Sequence, residues 1–318
     1  MIVTVTMNPA IDKTVEIDTL LPGGLNRIQR VEYDAGGKGI NVSKTICELG
    51  GESIATGFLG GNAGRTIARV LEEKNIRNDF LWVEGETRTN TKVFEKSGAV
   101  TELNEPGPAI GVAQAEALLR KLEGYADSQT LFVLAGSVPK GVDSRIYARI
   151  IRMAHEKGAK VLLDADGELF RNGLEAVPDI IKPNRAELEE YAGIDGQASD
   201  EELRNLAQGL MAKGIGTVMV SMGKRGAMMV RPDYAETCPA LPVKAHSTVG
   251  AGDAMVAALA YAWDQKLGNE ETMRLCMAVS AGAVTTVGTK PPSRELVDSF
   301  LASIPVQAAG KPGSETKD

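Results

Sequence analysis

The chain has 318 residues, enough to bury the core of one large α/β domain or two modest ones. A formal net charge of −7 argues against a nucleic-acid surface, which needs concentrated positive charge, so any anionic ligand must be met by a few placed Lys and Arg residues. The 3 cysteines lie far apart without CxxC spacing, and the 2 histidines have no nucleophile nearby, which disfavours a disulfide framework, a zinc site and His-based nucleophilic catalysis.

Met1 leads without a basic leader into 2–7, an apolar first strand, and no apolar run approaches the roughly 18 residues of a membrane span. A soluble, cytoplasmic protein is expected, with no membrane partner. Asn8-Pro9-Ala10 ends the first strand, because proline cannot donate to a ladder. Asp12 follows just past that end. Segments 14–18 and 27–33 alternate apolar with polar, the period of a sheet with one wet face, and Arg27 opens the second of them. Segments 90–95 and 99–104 alternate likewise and meet at Ser97-Gly98, a hairpin signal. These four predict a small half-exposed sheet separate from the main one.

The remainder alternates buried strands at 54–58, 130–135, 160–164, 180–182 and 217–221 with helical patterns such as 112–122, 145–156 and 201–213. That rhythm predicts a largely parallel α/β sheet with helices on both faces and ligands at the carboxyl ends of its strands. No interdomain linker interrupts it, and 305–318, rich in Gly, Pro, Ser and charge, reads as a disordered tail.

Glycine is abundant at 35 residues, so glycine-rich phosphate loops need testing. Gly37-Lys38 is followed by Gly39, which rules out a P-loop, and no strict GxGxxG occurs, which disfavours a dinucleotide fold. At Gly36-Gly37-Lys38-Gly39-Ile40-Asn41, bare backbone admits a ligand closely, Lys38 adds charge, and Asn41 reaches the same site from one turn on. A glycine turn with a solvated lysine is the alternative. At Gly250-Ala251-Gly252-Asp253 small residues turn into a helix N-terminus, an anion site with an acid beside it. Asp253 there is either a helix cap or a base that takes a proton from a hydroxyl attacking a bound phosphoryl group.

The stretch from Ser247 to Ala260 resembles the C-terminal signature of the ribokinase/PfkB family of carbohydrate kinases, and the Gly36–Asn41 element resembles its N-terminal glycine motif. Lys182-Pro183-Asn184-Arg185-Ala186-Glu187 and Ser221-Met222-Gly223 follow in the family's order, so the resemblance covers nearly the whole chain. Within the family, the opening Thr6-Met7-Asn8-Pro9-Ala10-Ile11-Asp12, Lys38 and Thr87-Arg88-Thr89-Asn90-Thr91-Lys92 most resemble the branch acting on fructose 1-phosphate, with tagatose-6-phosphate kinases as its sister.

The resemblance implies a three-layer α/β/α sandwich carrying a small β-sheet lid, formed by one kinase domain over 1–304 with lid strands within 12–34 and 87–105. It implies ATP and Mg²⁺ as cofactors and a sugar phosphate as substrate. Asp253 becomes the catalytic base and the amides of Gly250, Ala251 and Gly252 the anion hole. Asp12 would grip sugar hydroxyls. Lys38, Arg88 and Lys92 would meet the substrate's phosphate, helped by Gly36, Gly37, Asn41 and Asn90. Ser137 matches a substrate-side loop, with a plain turn serine as the alternative; Arg27 is either a solvated charge or a contact reaching across a dimer. Lys182 would approach the ATP phosphates, Ser221, Gly223 and Gly226 would shape the adenosine pocket, and Ala278 and Ser280 would pack near the base. Asn184 and Glu187 match an element that organises Mg²⁺ through waters, and the same spacing is a helix capping pattern.

One departure stands out: Leu163-Asp164-Ala165-Asp166-Gly167 carries acid where relatives often have small hydroxyl residues, and Asp166 is either a metal contact or a turn cap. The apolar side of the lid predicts a homodimer packed lid to lid. The expected reaction converts fructose 1-phosphate to fructose 1,6-bisphosphate, with tagatose 6-phosphate and fructose 6-phosphate as alternative substrates. A non-catalytic binding protein would not need the acid at 253.

Overall fold

In this computed structural model, which describes residues 1–304 apart from 197, 245, 247, 248 and 287, β1 (Ile2–Thr6) is buried throughout and leads into β2 (Ala10–Ile17) and β3 (Arg30–Gly36). Gly37 opens α1 (Lys38–Glu48), which precedes β4 (Ser53–Leu59), α2 (Gly61–Glu73) and the short strands β5 (Arg77–Asn78) and β6 (Leu81–Trp82). β7 (Arg88–Glu95) and β8 (Val100–Asn104) form an antiparallel hairpin whose turn uses Gly98 at φ 88°. The alternation continues through α3 (Val112–Glu123), β9 (Leu131–Ala135), α4 (Ile146–Glu156), β10 (Lys160–Asp164) and α5 (Gly167–Leu174). It runs on through β11 (Ile180–Ile181), α6 (Arg185–Ala192), α7 (Asp200–Met211) and β12 (Thr217–Ser221). A hairpin of β13 (Ala227–Arg231) and β14 (Tyr234–Cys238) precedes the helices α8 (Ala251–Asp264), α9 (Asn269–Thr285) and α10 (Arg294–Ser303).

The large sheet runs β14-β13-β12-β11-β10-β9-β1-β4-β5, with β6 beside β4. Its strands run parallel except for β13, which pairs antiparallel with both β12 and β14. Strand alternation splits the interior into two cores. Phe132 and Leu134 face one side with Val3, Val5 and the apolar stripes of α3, α4 and α7; Leu131 and Val133 face the other with α1, α8 and α9. The expected three layers follow from that division. The chain leaves β1 toward β4 on one side and reaches β9 on the other, which makes the carboxyl end of β1 a switch point, the place where open α/β sheets bind ligands.

The small sheet, β3-β2-β7-β8, stands apart from the large one. Its registers place Asp12 opposite both Asp34 and Asn90, and Ala10 opposite Arg88. Several elements differ from the sequence reading. Arg27 lies in the exposed connection before β3, not on a strand, because pairing with β2 begins only at Arg30. Asp12 is the third residue of β2, since only a short break separates β1 from a strand paired on both sides. The β13–β14 hairpin was not anticipated. Ser247, Thr248 and the tail 305–318 lie outside the described residues.

Candidate active site

The turn before α8 depends on Gly250, whose φ of 86° is in the left-handed region that favours glycine. Ala251, Gly252 and Asp253 form the first turn of α8, where N–H groups have no intrahelical acceptor and the helix end is positive. Ser280 Oγ on α9 donates to the Ala251 carbonyl at 3.3 Å and ties that turn to the neighbouring helix. The Asp253 carboxyl points inward, is only 9% exposed and accepts a 2.8 Å hydrogen bond from Asn41 Nδ2. Burial pushes its pKa up and the nearby Asp164 charge adds to that; Lys38, Asn41 and Lys182 pull the other way, leaving it raised to about 6. A carboxylate with that value is ionised at neutral pH yet basic enough to accept a proton.

Asp164 ends the apolar strand β10 and is 2% exposed. Its Oδ2 lies 3.3 Å from Lys38 Nζ and its Oδ1 3.2 Å from Lys182 Nζ, so one buried carboxylate holds two ammonium groups. Burial alone would raise the Asp164 pKa, but the two lysines outweigh it and hold it below the ordinary value. Lys38 is shifted upward in turn: burial opposes its charge, and Asp164, Asp253 and Glu187 outweigh that cost. Lys182 also borders the anion turn, because a β-carbon at position 252 would lie 3.5 Å from its Nζ. Lys38 is thus grouped with Lys182 around Asp164, near Asp253. Sequence reasoning overlooked Asp164, although an acid closing an all-apolar parallel strand is a readable signal. Asp166, by contrast, is exposed at the N-cap position of α5 and makes no side-chain capping bond.

Asn184 caps α6 in a complete capping box: its Oδ1 accepts from Glu187 N at 2.9 Å, and Glu187 Oε2 accepts from Asn184 N at 2.8 Å. Burial raises the Glu187 pKa against the pull of the Asn184 amide and Lys182. Ser221 sits beside Asn184 through an isolated parallel bridge. A tight turn follows, with Gly223 at φ 58° and Gly226 at φ 91°; a β-carbon at 226 would stand 1.9 Å from the Cys238 carbonyl oxygen.

The lid supplies the opposite wall. Asp12 is buried; Asn90 Nδ2 donates to its Oδ1 at 3.5 Å, Thr289 Oγ1 donates to its Oδ2 at 3.3 Å, and Lys92 Nζ lies 3.9 Å from that oxygen. Position 36 must stay bare, because a β-carbon there would come within 2.4 Å of Asp12 Oδ2. Gly37, at φ 106°, turns the chain from β3 into α1. Strand alternation sets Arg88, Asn90 and Lys92 on one face, but the Arg88 guanidinium donates to the carbonyls of Asn8, at 3.3 and 3.1 Å, and Glu105, at 3.2 Å. Ser137 is exposed next to Gly136, against which the Lys38 side chain packs, and Arg27 is exposed away from these groups on the lid connection. The site thus has two parts: the buried Asp253 carboxyl with the Lys38–Asp164–Lys182 cluster on the body, and the Asp12 carboxylate with Asn90, Lys92 and Thr289 around it at the lid. Thr289 was not foreseen.

The chain is similar over most of its length to known carbohydrate kinases. The model of the pfkB family carbohydrate kinases matches residues 1–296. A 1-phosphofructokinase of Rhodobacter capsulatus is 38% identical over 96% of this chain and 97% of its own length. One of Vibrio cholerae serotype O1 is 34% identical over 96% of each. Among solved structures, phosphofructokinase-2 from Escherichia coli in complex with fructose-6-phosphate superposes with a TM-score of 0.89 at 27% identity, covering 95% of this chain and 98% of that one. No helix among the described residues is long and apolar enough to cross a membrane. With the ribokinase-like three-layer fold and its lid, these likenesses show that the chain belongs to the pfkB family of carbohydrate kinases.

Proposed function

We propose that the protein transfers the γ-phosphoryl group of ATP to the 6-hydroxyl of fructose 1-phosphate, giving fructose 1,6-bisphosphate and ADP. The observation that carries this reading is the buried Asp253 carboxylate, raised to about 6, at the mouth of a helix N-terminus flanked by two lysines. Asp253 takes the hydroxyl proton as the sugar oxygen bonds to the γ-phosphorus and the bond to the β–γ bridging oxygen breaks. The amides of Gly250, Ala251 and Gly252 face the transferring group. Because the transition state of phosphoryl transfer is loose, alignment and charge stabilisation supply most of the acceleration. Lys182 and Lys38 exchange Asp164 for phosphate oxygens, while Ser221, Gly223, Gly226 and Ser280 border the nucleotide. Asp12, Asn90, Lys92, Asn41 and the bare backbone of Gly36 and Gly37 hold the sugar phosphate, with Arg88 and Ser137 at its margin. Residues 1–304 act as one catalytic unit.

No group of three or more His, Cys, Asp or Glu side chains able to cage a metal occurs among the described residues. Asn184 Oδ1 and Glu187 Oε2 are engaged in the capping box, which leaves Glu187 one further carboxylate oxygen. Mg²⁺ keeps much of its hydration and binds through one or two carboxylates plus phosphates, so this donor set fits an ion held mainly by ATP and water. Glu187 is the carboxylate that would hold it, with Asn184 beside it; the ion would neutralise phosphate charge.

A lid-to-lid homodimer is part of the same proposal. Val31, Tyr33 and Leu103 are exposed on the lid face opposite Asp12, next to Leu21, Leu25 and Ile28 of the connection before β3. Together they form an apolar surface that a second copy would dry. Arg27, in that connection, would then lie at the interface.

A second reading, fructose 6-phosphate as substrate, is favoured by the structural likeness to phosphofructokinase-2 in complex with that sugar. A coupled ADP-release assay over fructose 1-phosphate, fructose 6-phosphate, tagatose 6-phosphate and unphosphorylated sugars tests both. The highest kcat/KM is expected for fructose 1-phosphate; ADP release with none of them would overturn the kinase reading.

A further inference from the structure

Gly288, Thr289 and Lys290, in the turn after α9, each meet the lid on the face that carries Asp12. The Thr289 hydroxyl donates to Asp12 Oδ2 at 3.3 Å, and Lys290 Nζ lies 3.0 Å from Glu32 Oε2. A β-carbon at position 288 would stand 3.5 Å from Asp34 Oδ2 and 3.8 Å from Thr14 Oγ1. The strand register pairs Asp12 with Asp34 and Thr14 with Glu32, so the turn covers one contiguous block of four residues. Thr286 Oγ1 donates to the Lys290 carbonyl at 2.6 Å and closes the turn. On its other side the turn touches the anion site: a β-carbon at Gly250 would lie 3.7 Å from Thr289 Cα.

We infer that Thr289 is a positioning residue for the sugar phosphate, acting through Asp12. Among the polar contacts of the Asp12 carboxylate, the Thr289 hydroxyl is nearer than Asn90 at 3.5 Å or Lys92 at 3.9 Å. A carboxylate oxygen accepts, so the Thr289 hydroxyl donates and holds Oδ2, while Oδ1 accepts from Asn90. Thr289 is itself only 7% exposed and lies beside the anion turn, since a β-carbon at Gly250 would stand 3.7 Å from its Cα. The Lys290–Glu32 pair is partly exposed and contributes little, which leaves the hydroxyl as the determinant. This inference rests on Asp12 being the residue that grips the sugar.

The test compares Thr289→Val, Thr289→Ala and Thr289→Ser in the full chain, each checked for an unchanged melting profile, with fructose 1-phosphate and ATP varied separately. Loss of a hydrogen bond to a charged group is expected to lower kcat/KM for the sugar phosphate about tenfold or more in Thr289→Val and Thr289→Ala. The KM for ATP stays unchanged, and Thr289→Ser restores activity to near the wild-type value. Combined with Asp12→Asn, Thr289→Ala should add little further loss. Wild-type sugar kinetics in both hydroxyl-free variants, a loss confined to ATP, or an undiminished effect in the Asp12→Asn background would overturn the role of Thr289. Full sugar kinetics in Asp12→Asn alone would instead overturn the reading of Asp12 beneath it.

Discussion

Asn41 Nδ2 donates to Asp253 Oδ2 at 2.8 Å, joining the first turns of α1 and α8 across 212 residues of chain. The bond fixes the Asn41 amide, whose Oδ1 is left buried without a hydrogen-bond partner, and it favours the charged form of a carboxyl that burial disfavours. Asn41→Ala should therefore move the acid limb of the pH–kcat profile above about 6 and cut kcat at neutral pH roughly tenfold. A limb unmoved by the substitution would show that Asn41 does not tune the base.

The same pKa sets a stability effect. Burial raises the Asp253 pKa from the ordinary 3.8 to about 6 in the folded chain, so between those values the folded state holds a proton that the unfolded state has released. Stability from this group accordingly falls as pH rises through that window. Asp253→Asn removes the cost of a buried charge, and its amide can pair with Asn41. The variant should melt at least about 2 °C above wild type at pH 8, an advantage that shrinks toward pH 4. Melting curves at both pH values test this; an equal or lower Tm at pH 8 would be evidence against a buried, costly carboxylate.

Asp164→Asn would leave Lys38 and Lys182 without their shared counter-ion. Removing one member of a buried ion pair typically costs about 3–5 kcal/mol. Since the folded pKa of Asp164 lies below its ordinary value, the wild-type contribution is present above that value and is lost as pH falls through the folded pKa. ATP should restore negative charge beside the lysines, so its thermal shift is expected to be larger in Asp164→Asn than in wild type. A smaller shift would mean that the lysines do not face the nucleotide.

Much of this arrangement was legible in the residues. All-apolar runs such as Val161-Leu162-Leu163 mark parallel strands because both faces are buried, and the polar–apolar alternation in 90–95 marks a strand of the small sheet. Asp253 was legible because the glycines before it and the apolar helix after it define a helix mouth. Asp164 was not, since its partners Lys38 and Lys182 belong to other elements and only the sheet order brings them to one place. The Arg88 guanidinium illustrates the same limit: alternation fixes its face, but the carbonyls of Asn8 and Glu105 that receive it are set by tertiary packing. The shift of Arg27 off β3 reflects register, which begins where β2 offers a partner and not where alternation begins.

The exposed apolar row of the lid gives a prediction about assembly. Leu103→Glu places a charge in the face that carries Val31 and Tyr33 without touching the Asp12 face. Light scattering at micromolar concentration should show wild type as a dimer and Leu103→Glu as a monomer. A monomeric wild type would remove the lid-to-lid interface.

If Asp253 removes the proton from the attacking hydroxyl, its loss is read in a rapid-quench single turnover of Asp253→Asn with ATP and fructose 1-phosphate. General-base catalysis is worth about 10²–10⁴-fold, so the phosphoryl-transfer rate should fall by that much while ATP affinity stays near the wild-type value. A transfer rate close to wild type in a folded, ATP-binding variant would show that Asp253 is not the base.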